Sequence, residues 1–306
     1  MSDFTSGFWE IYIAVVAVAS IVGCAVLLRL QSVKRGKGGQ VGTTGHVWDE
    51  DLKEWNNPLP RWWMWLFYIT IVFALVYVVF YPGLAFYGGH LGWTQATQYE
   101  SENAKAEATY GPIYAKYQAM DIPQIAADPT AMAIGENLFL QICAQCHAAD
   151  ARGSKGFPNL TDSDWLWGGD PAKIEETILN GRTGMMPPHG QVLGAEGAKD
   201  TAHYVMSLSG LPNDSIRAVR GKDKFQQICV ACHGPEGKGN QALGAPNLTD
   251  KIWLYGGSEP DIIASITSGR NGQMPAHKEL LGAAKVHVLA AYVWSLSHPE
   301  AMKQAK

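Results

Sequence analysis

Two long apolar segments dominate the first ninety residues of the chain. Residues 8–30 read FWEIYIAVVAVASIVGCAVLLRL, with charges only near the ends, and residues 62–81 read WWMWLFYITIVFALVYVVFY, with none. A helix needs about 20 apolar residues to cross the hydrocarbon core of a bilayer, and tryptophan and tyrosine collect at the interfaces. The pattern predicts two transmembrane helices, at about residues 8–30 and 62–86, in a membrane anchor that covers residues 1–90.

Lysine and arginine predict an orientation for this anchor. The linker between the two segments contains Lys34, Arg35, Lys37 and Lys53, whereas the residues before the first segment contain no basic side chain. Basic residues stay on the cytoplasmic side, so we expect a cytoplasmic linker and both termini outside. The missing basic start also argues against a cleaved signal peptide, and we interpret the first segment as a retained anchor.

The rest of the chain is more polar and contains an internal repeat. Residues 91–130 are rich in alanine, glutamate, lysine and tyrosine, which predicts a helical tether in the periplasm. After it, four elements occur twice: IGENLFLQICAQCH and GKDKFQQICVACH, FPNLTDSDWLWGGD and APNLTDKIWLYGGS, ILNGRTGMMPPH and ITSGRNGQMPAH, YVMSLSG and YVWSLSH. The repeat predicts two similar small domains, residues 131–212 and 213–306.

Each repeat has a helical pattern. Asp170-Pro171 begins a helix that Gly181 ends, and Glu259-Pro260 and Gly269 occupy the same places in the second copy. We therefore predict an all-α chain, with two transmembrane helices followed by two tandem domains. The net charge of -4 offers no basic surface for nucleic acid, so no nucleic-acid partner is expected.

Each repeat also contains the pattern Cys-x-x-Cys-His. The residues are Cys143, Cys146 and His147 in the first copy, and Cys229, Cys232 and His233 in the second. Two thiols one helical turn apart can bond to the two vinyl groups of a haem, and the adjacent imidazole can reach the iron. The alternatives are a zinc site, a redox dithiol and a disulfide, none of which explains both the histidine and the repeat. We predict two covalently bound haem c groups, with His147 and His233 as proximal ligands of the iron.

A second axial ligand is expected downstream in each repeat. Met186 aligns with Met274, whereas Met185 aligns with Gln273 and so lacks a counterpart. Methionine and histidine together give a six-coordinate iron that is suited to electron transfer. The alignment predicts Met186 in the first copy and Met274 in the second as the distal iron ligands. Histidine remains the alternative ligand, because His189 and His277 also align.

Each repeat resembles a class I cytochrome c domain, on its C-x-x-C-H, PNL and GR-x-G-x-M-P motifs and its closing helix with a tyrosine. This resemblance implies that the carbonyls of Pro158 and Pro246 accept a hydrogen bond from the proximal histidines. The whole chain resembles the CcoP/FixP family, the dihaem membrane subunits of cbb3-type cytochrome c oxidases. Residues 45–63, GHVWDEDLKEWNNPLPRWW, and residues 81–88, YPGLAFYG, carry this resemblance together with the tandem domains.

The family resemblance implies a non-catalytic electron-transfer subunit. It implies passage of electrons from donor cytochromes c to the haem–copper catalytic subunit, with a monohaem cytochrome c subunit as a further partner. It places the chain in the bacterial inner membrane with its haem domains in the periplasm. The full hydrophobic span at residues 8–30 departs from the commonest form of the family and implies a two-span version, with the N-terminus in the periplasm as well. The alternative is a dihaem cytochrome of another membrane complex, such as a dehydrogenase or nitric oxide reductase. Arg182 and Arg270, at matching positions, are expected to pair with haem propionates or with the preceding helix end.

Overall fold

The structure is a computed structural model that describes residues 6–32, 41–84 and 87–300. Residues 33–40, with the basic side chains Lys34, Arg35 and Lys37, lie outside the described residues, as do residues 85–86 of the second predicted span. The chain divides into two compact units, Met1–Ala108 and Thr109–Lys306.

The first unit contains both predicted transmembrane helices. Helix α1 spans Gly7–Gln31 and helix α2 spans Arg61–Phe80, with mean hydropathies of 2.7 and 2.2 in their most apolar windows. Both are long and apolar enough to cross a membrane. Helix α2 ends at Phe80 instead of near residue 86, because Tyr81 is extended and Pro82 has no N–H to continue the helix.

A β-hairpin that the sequence did not predict lies between these helices. Strand β1 (Thr43–Trp48) pairs antiparallel with strand β2 (Leu52–Trp55). The turn between them places Asp49 at φ 46° and Glu50 at φ 72°. Positive φ is uncommon for residues other than glycine. Asp49 and Glu50 also do not form the Asn-Gly or Asp-Gly pair by which a tight hairpin turn is recognised in a sequence, so the hairpin was not predicted.

The predicted tether is helical, but its last part belongs to a folded core. Helix α3 covers Gln95–Gln118, and the short helix α4 covers Ile122–Ala126. Tyr117, Ile122 and Ile125 are buried in a cluster with side chains of both repeats. Only the first part of residues 91–130 therefore has the solvent-exposed character that the sequence indicated.

The two repeats share one order of elements, with two differences: only the first has a π-helical turn, and the last helix of the first corresponds to two helices in the second. The first has α5 (Pro129–Leu138), a π-helical turn (Phe139–Cys143), α6 (Ala144–His147), α7 (Pro171–Asn180), β3 (Arg182–Met186) and α8 (Gly190–Leu208). The second has α9 (Ser215–Ile228), α10 (Val230–His233), α11 (Glu259–Ser268), β4 (Arg270–Met274), α12 (Lys278–Leu281) and α13 (Ala283–Ser297). Helices dominate the described part of the chain and the four strands found there are short, so the all-α prediction is confirmed.

The repeats exchange their last helices. The first hydrophobic cluster, core 1, joins α4, α5 and α7 to α13 of the second repeat. The second cluster, core 2, joins α9 and α11 to α8 of the first repeat. The predicted boundary between residues 212 and 213 falls in the connection from α8 to α9. Each core thus contains helices from both sides of that boundary.

The connection from α8 to α9 explains the exchange. Residues 209–214 are the whole connection, and consecutive elements joined by a short loop pack side by side. Asp214 fixes the loop, because its carboxylate accepts from Ile216 N–H and Arg217 N–H and its own N–H donates to His203 Nδ1. Helix α8 therefore packs on α9, and α13 takes the place beside α5.

The two strands of the repeats complete the interlock. Strands β3 and β4 form an antiparallel ribbon in which Arg182 is opposite Met274 and Met186 is opposite Arg270. Two backbone hydrogen bonds extend it symmetrically, from His189 N–H to the Ile266 carbonyl (2.9 Å) and from His277 N–H to the Ile178 carbonyl (3.0 Å). The strand that carries Met186 and the strand that carries Met274 are thus held together by backbone hydrogen bonds.

Candidate haem sites

The Cys-x-x-Cys-His motifs lie where one short helix follows another. Cys143 ends the π-helical turn before α6, and Cys229 lies between α9 and α10. In each motif the first cysteine is partly buried and the second is exposed, and the two do not form a disulfide with each other. Burial, with a smaller effect of the paired cysteine, raises the pKa of Cys143 to about 11 and that of Cys229 to about 11. Each motif therefore presents one thiol to the core and one to the surface.

The two predicted proximal histidines make the hydrogen bonds that the cytochrome resemblance implied. His147 Nδ1 lies 3.0 Å from the Pro158 carbonyl oxygen, and His233 Nδ1 lies 3.1 Å from that of Pro246. A carbonyl oxygen only accepts, so Nδ1 carries the proton and the lone pair is on Nε2. The expected hydrogen bonds are confirmed, and they leave the Nε2 atom of each imidazole free to bind a metal.

Burial keeps both imidazoles in the form that binds iron. His147 and His233 are 9% and 8% exposed. Burial lowers the pKa of each imidazole, the hydrogen bond to the proline carbonyl opposes this change, and a histidine of the other repeat lowers it further. That histidine is His277 for His147 and His189 for His233. The neutral imidazole is the metal-binding form of histidine.

Each predicted distal methionine packs against the core that contacts the cysteine motif of the other repeat. Met274 packs against core 1, which also contacts Cys143, and Met186 packs against core 2, which also contacts Cys229. The alignment had placed Met186 with the first site and Met274 with the second. In the structure each methionine packs against the core that contacts the other repeat's cysteine motif, because the ribbon carries each strand across to the other repeat. Met185 is 76% exposed and faces away from both cores.

The remaining histidines have distinct surroundings. His203 accepts from the Asp214 N–H at its Nδ1 atom, and its Nε2 atom lies 3.4 Å from Glu259. His287 contacts Glu175 at 2.9 Å through Nδ1 and the Met120 carbonyl at 2.8 Å through Nε2. Both nitrogens of these two residues are therefore engaged, whereas His189 and His277 lie beside the distal methionines.

Haem c fits these donors and their neighbours. Within the described residues, the buried Trp253 Nε1 and His277 Nδ1 have no hydrogen-bond partner, and a buried polar atom normally has one. Trp253 packs on core 2, and His277 lies near enough to His147 to lower the pKa of that imidazole. A haem presents two carboxylates that can accept such bonds. A zinc site fits less well, because Cys143 and Cys229 contact different cores and do not converge.

The two matching arginines bind the helices that precede them. Arg182 Nε donates to Thr177 at 2.9 Å, and its Nη1 atom lies 3.0 Å from Glu176, both on α7. Arg270 Nε donates to Ser265 on α11 at 2.9 Å. This agrees with the helix-end alternative. Each guanidinium also lies over a ring, Arg182 over Trp167 (5.3 Å) and Arg270 over Tyr255 (4.4 Å).

These two rings were missed by the sequence analysis. Trp167 and Tyr255 occupy matching positions in the WLW and WLY segments of the repeat, which is the signal that could have identified them. A cleft of about 320 Å³ lies beside these segments and is lined by Leu166 and Leu254. Pro158 and Pro246, the two acceptors of the proximal histidines, line the same cleft. The two proximal sides therefore face a shared space.

Comparison with known proteins agrees with this organisation. The protein-family model described as the N-terminal domain of cytochrome oxidase-cbb3, FixP, matches residues 40–88. The model of cytochrome c oxidase, cbb3-type, subunit III, matches twice, over residues 130–205 and 217–293. Together these matches cover most of the chain and correspond to the end of the anchor and the two repeats.

Curated relatives match over nearly their whole length. A cbb3-type cytochrome c oxidase subunit CcoP from Rubrivivax gelatinosus is 52% identical over 298 residues, 97% of each chain. A subunit FixP from Sinorhizobium medicae is 41% identical over 277 residues, 85% of this chain and 96% of the relative. A subunit CcoP from Cereibacter sphaeroides is 37% identical over 284 residues, 86% and 97% of the two chains. This chain therefore belongs to the CcoP/FixP family of cbb3-type cytochrome c oxidase subunits.

Proposed function

We propose that this chain is the membrane-anchored dihaem subunit that delivers electrons to the catalytic part of a cbb3-type oxidase. The observation that carries this proposal is the pair of Cys-x-x-Cys-His sites, each with a buried proximal histidine held by a proline carbonyl. The family provides the context of a cytochrome c subunit in an oxidase. Bound haem c would supply reversible one-electron transfer, and the reduction of oxygen belongs in this proposal to the partner haem–copper subunit.

The two haem sites each draw ligands from both repeats. Cys143, Cys146 and His147 would hold the first haem, with Met274 as its second iron ligand. Cys229, Cys232 and His233 would hold the second, with Met186 as its second iron ligand. The support is the packing of each methionine on the core that contacts the other repeat's cysteine motif. His277 and His189 lie on the same distal sides and remain the alternative ligands.

The ligand set favours transfer over substrate chemistry. A thioether and an imidazole fill both axial positions of an iron and raise its potential. A peroxidase needs an open or displaceable sixth position, which this ligand set does not offer. His147 is 9% exposed, and Phe139 and Ala131 of core 1 are fully buried, so the histidine side of the first site is shielded from water.

The membrane anchor sets the location of this activity. The chain is anchored by α1 and α2, and we propose that it spans the bacterial inner membrane twice. The basic linker favours the cytoplasmic side, which leaves the N-terminus and the unit Thr109–Lys306 in the periplasm. There the haem sites can meet donor cytochromes c, the monohaem subunit and the haem–copper subunit.

Purification of the native complex tests the proposal. The full-length chain is affinity-tagged in its own membrane, the complex is isolated in mild detergent, and covalent haem and partner chains are identified by mass spectrometry. We expect two haem c groups on this chain and a haem–copper subunit beside it. Copurification with a dehydrogenase or nitric oxide reductase and no haem–copper subunit contradicts the assignment.

A further inference from the structure

Two short aromatic segments connect the haem sites to each other. The first strap is Trp165, Leu166 and Trp167, and the second strap is Trp253, Leu254 and Tyr255. Trp165 packs on core 1 and Trp253 packs on core 2, so the first aromatic of each strap lies in the site of its own repeat. The second aromatic of each strap lies elsewhere.

Trp167 reaches the site that holds His233. A methyl group on Gly244 would overlap the Trp167 ring, and one on Gly184 would lie 3.7 Å from its Cζ2 atom. Gly244 is two residues before Pro246, the acceptor of His233, and Gly184 is two residues before Met186. Trp167 therefore contacts both the proximal loop and the distal strand of the second haem site.

Tyr255 makes the equivalent contacts at the site that holds His147. A methyl group on Gly156 would lie 3.5 Å from its Cε1 atom, and one on Gly272 would lie 3.3 Å from its hydroxyl oxygen. Gly156 is two residues before Pro158, and Gly272 is two residues before Met274. Each strap thus begins in one haem site and ends in the other, with a single leucine between its two rings.

Hydrogen bonds fix the straps to the opposite proximal loops. The Gly156 N–H donates to the Leu254 carbonyl at 2.8 Å, and Gln241 Nε2 donates to the Trp165 carbonyl at 3.0 Å. Arg182 lies over the ring of Trp167 and Arg270 over the ring of Tyr255, and these contacts hold the second aromatic ring of each strap. The straps are therefore packed and bonded at both ends.

We infer that these two straps are the route by which an electron passes between the two haem sites, an inference that rests on the proposed dihaem function. Electron tunnelling decays less steeply through bonded and packed atoms than across a gap, and the straps supply such atoms. One electron leaves the reduced site and enters the oxidised site. No bond forms or breaks, and no proton moves. Trp167 and Tyr255 act as positioning residues that bring π-electron density beside the opposite haem.

The test measures the exchange of an electron within the full-length chain. In a Met274→Gly background, carbon monoxide binds the opened first haem and holds the electron there in half-reduced protein. A flash removes the carbon monoxide, and transient absorbance follows the electron as it re-equilibrates with the second haem. A Met186→Gly background repeats the measurement from the other side. Potentials and visible spectra are recorded for every variant.

The strap variants are Trp167→Leu, Tyr255→Leu, the double leucine variant and the double phenylalanine variant. Because either strap alone still conducts, each single leucine variant should slow the exchange by about twofold at most, and the double should slow it non-additively, by an order of magnitude or more. The double phenylalanine variant keeps both rings and should stay close to the parent. Tyr110→Leu is the control, since Tyr110 is 56% exposed on α3 and lies in neither strap.

Three results would overturn the inference. One is an unchanged exchange rate in the double leucine variant. Another is a slowing that the change in haem potentials fully explains, and the third is an equal slowing in Tyr110→Leu. A failure of carbon monoxide to bind in both methionine backgrounds is a different signal, because it refutes Met274 and Met186 as distal ligands. The exchange is then measured in His277→Gly and His189→Gly backgrounds, with the same three overturning results.

Discussion

Phe139 of the first repeat lies against Tyr292 of the second, with ring centroids 5.6 Å apart. In the matching pair, Phe225 belongs to the second repeat and Tyr204 to the first, and their ring centroids are 5.2 Å apart. Because each pair lies at the crossing of a first and a last helix, each core is complete only when the other repeat contributes its helix. The two repeats are thus one folding unit, in agreement with the compact unit Thr109–Lys306.

A double-mutant cycle tests this crossed pairing. Phe139→Leu combined with Tyr292→Leu should show a coupling energy of about 0.5–1.5 kcal/mol, the range for aromatic pairs beyond their buried area. Phe139→Leu combined with Tyr204→Leu is the control, and its effects should add to within about 0.5 kcal/mol because the two rings lie in different cores. Chemical unfolding of the full chain in detergent gives the free energies. Coupling of Phe139 to Tyr204 instead of Tyr292 would show that the repeats keep their own helices.

The sequence predicted the chemistry of the sites better than their assembly. Spacing identified both Cys-x-x-Cys-His motifs, and the cytochrome resemblance identified Pro158 and Pro246 as acceptors, because these are local relationships. The crossing of Met186 and Met274 is not local. The two copies are so alike that either methionine suits either site, and the short connection at residues 209–214 decides between them.

Two further features could not be predicted from the sequence, for physical reasons. The hairpin of β1 and β2 turns on Asp49 and Glu50, whose positive φ angles contradict their usual preference. Tyr117 and Ile122 look like part of a polar tether, since their burial depends on α13, far along the chain. Periodicity within a segment cannot reveal a partner that distant.

The crossed ligands can be assigned with a chain that carries one haem. Cys229→Ser with Cys232→Ser removes the covalent attachment of the second haem and leaves the first. In that background Met274→Gly should open the remaining iron, so that carbon monoxide binds fully to the reduced protein. Met186→Gly in the same background should leave the iron closed, because Met186 packs on core 2.

Visible absorbance before and after addition of carbon monoxide reads out this assignment. The reciprocal background, Cys143→Ser with Cys146→Ser, should reverse the roles of the two methionines. Opening of the first haem by Met186→Gly would restore the repeat-wise assignment. An iron that stays closed in both methionine variants would point to the alternative ligands, His277 and His189.

Asp200 should make the stability of the chain depend on acid pH. Its buried carboxylate accepts from Arg220 at 3.0 and 3.1 Å and from Arg217 at 3.0 Å. The hydrogen bonds and charges of these arginines, Arg220 above all, lower the pKa of Asp200 although burial opposes them. A folded-state pKa below the unfolded value of about 3.9 stabilises the fold above that value. The stabilisation is lost as the pH falls through the lowered pKa.

The measurement compares the free energy of unfolding of the parent with that of Asp200→Asn across the acid range. The parent should be more stable at neutral pH, and the difference should shrink as the pH drops below about 4. Asp223→Asn, on the exposed face of α9, should show little difference at any pH. A gap between parent and Asp200→Asn that stays constant with pH would show that packing, not charge, is the contribution of Asp200.

Alanine substitutions at two glycines near the crossing of α8 and α9 should have very different effects on stability. A Cβ atom on Gly221 would overlap the carbonyl of Asp200, a backbone atom that cannot move without shifting α8. A Cβ atom on Gly197 would lie 3.2 Å from Cε at the flexible end of Lys224 and 3.3 Å from the Leu193 Cβ atom, with no backbone atom of another element as close. Gly221→Ala should therefore cost about 1–3 kcal/mol of stability, the range for overpacking. Gly197→Ala should stabilise by up to about 1 kcal/mol, because alanine favours the helix.

Thermal unfolding of the two variants, measured in the same detergent, checks this order. Gly135→Ala extends the test to the other crossing, since its Cβ atom would lie 2.5 Å from the Tyr292 Cβ atom on α13. Gly135 and Gly221 occupy matching places in the repeat, so both alanine variants should unfold below the parent. Equal stability of Gly221→Ala and Gly197→Ala would mean that α8 does not pass over Gly221. The exchange of last helices would then lose its main point of contact in core 2.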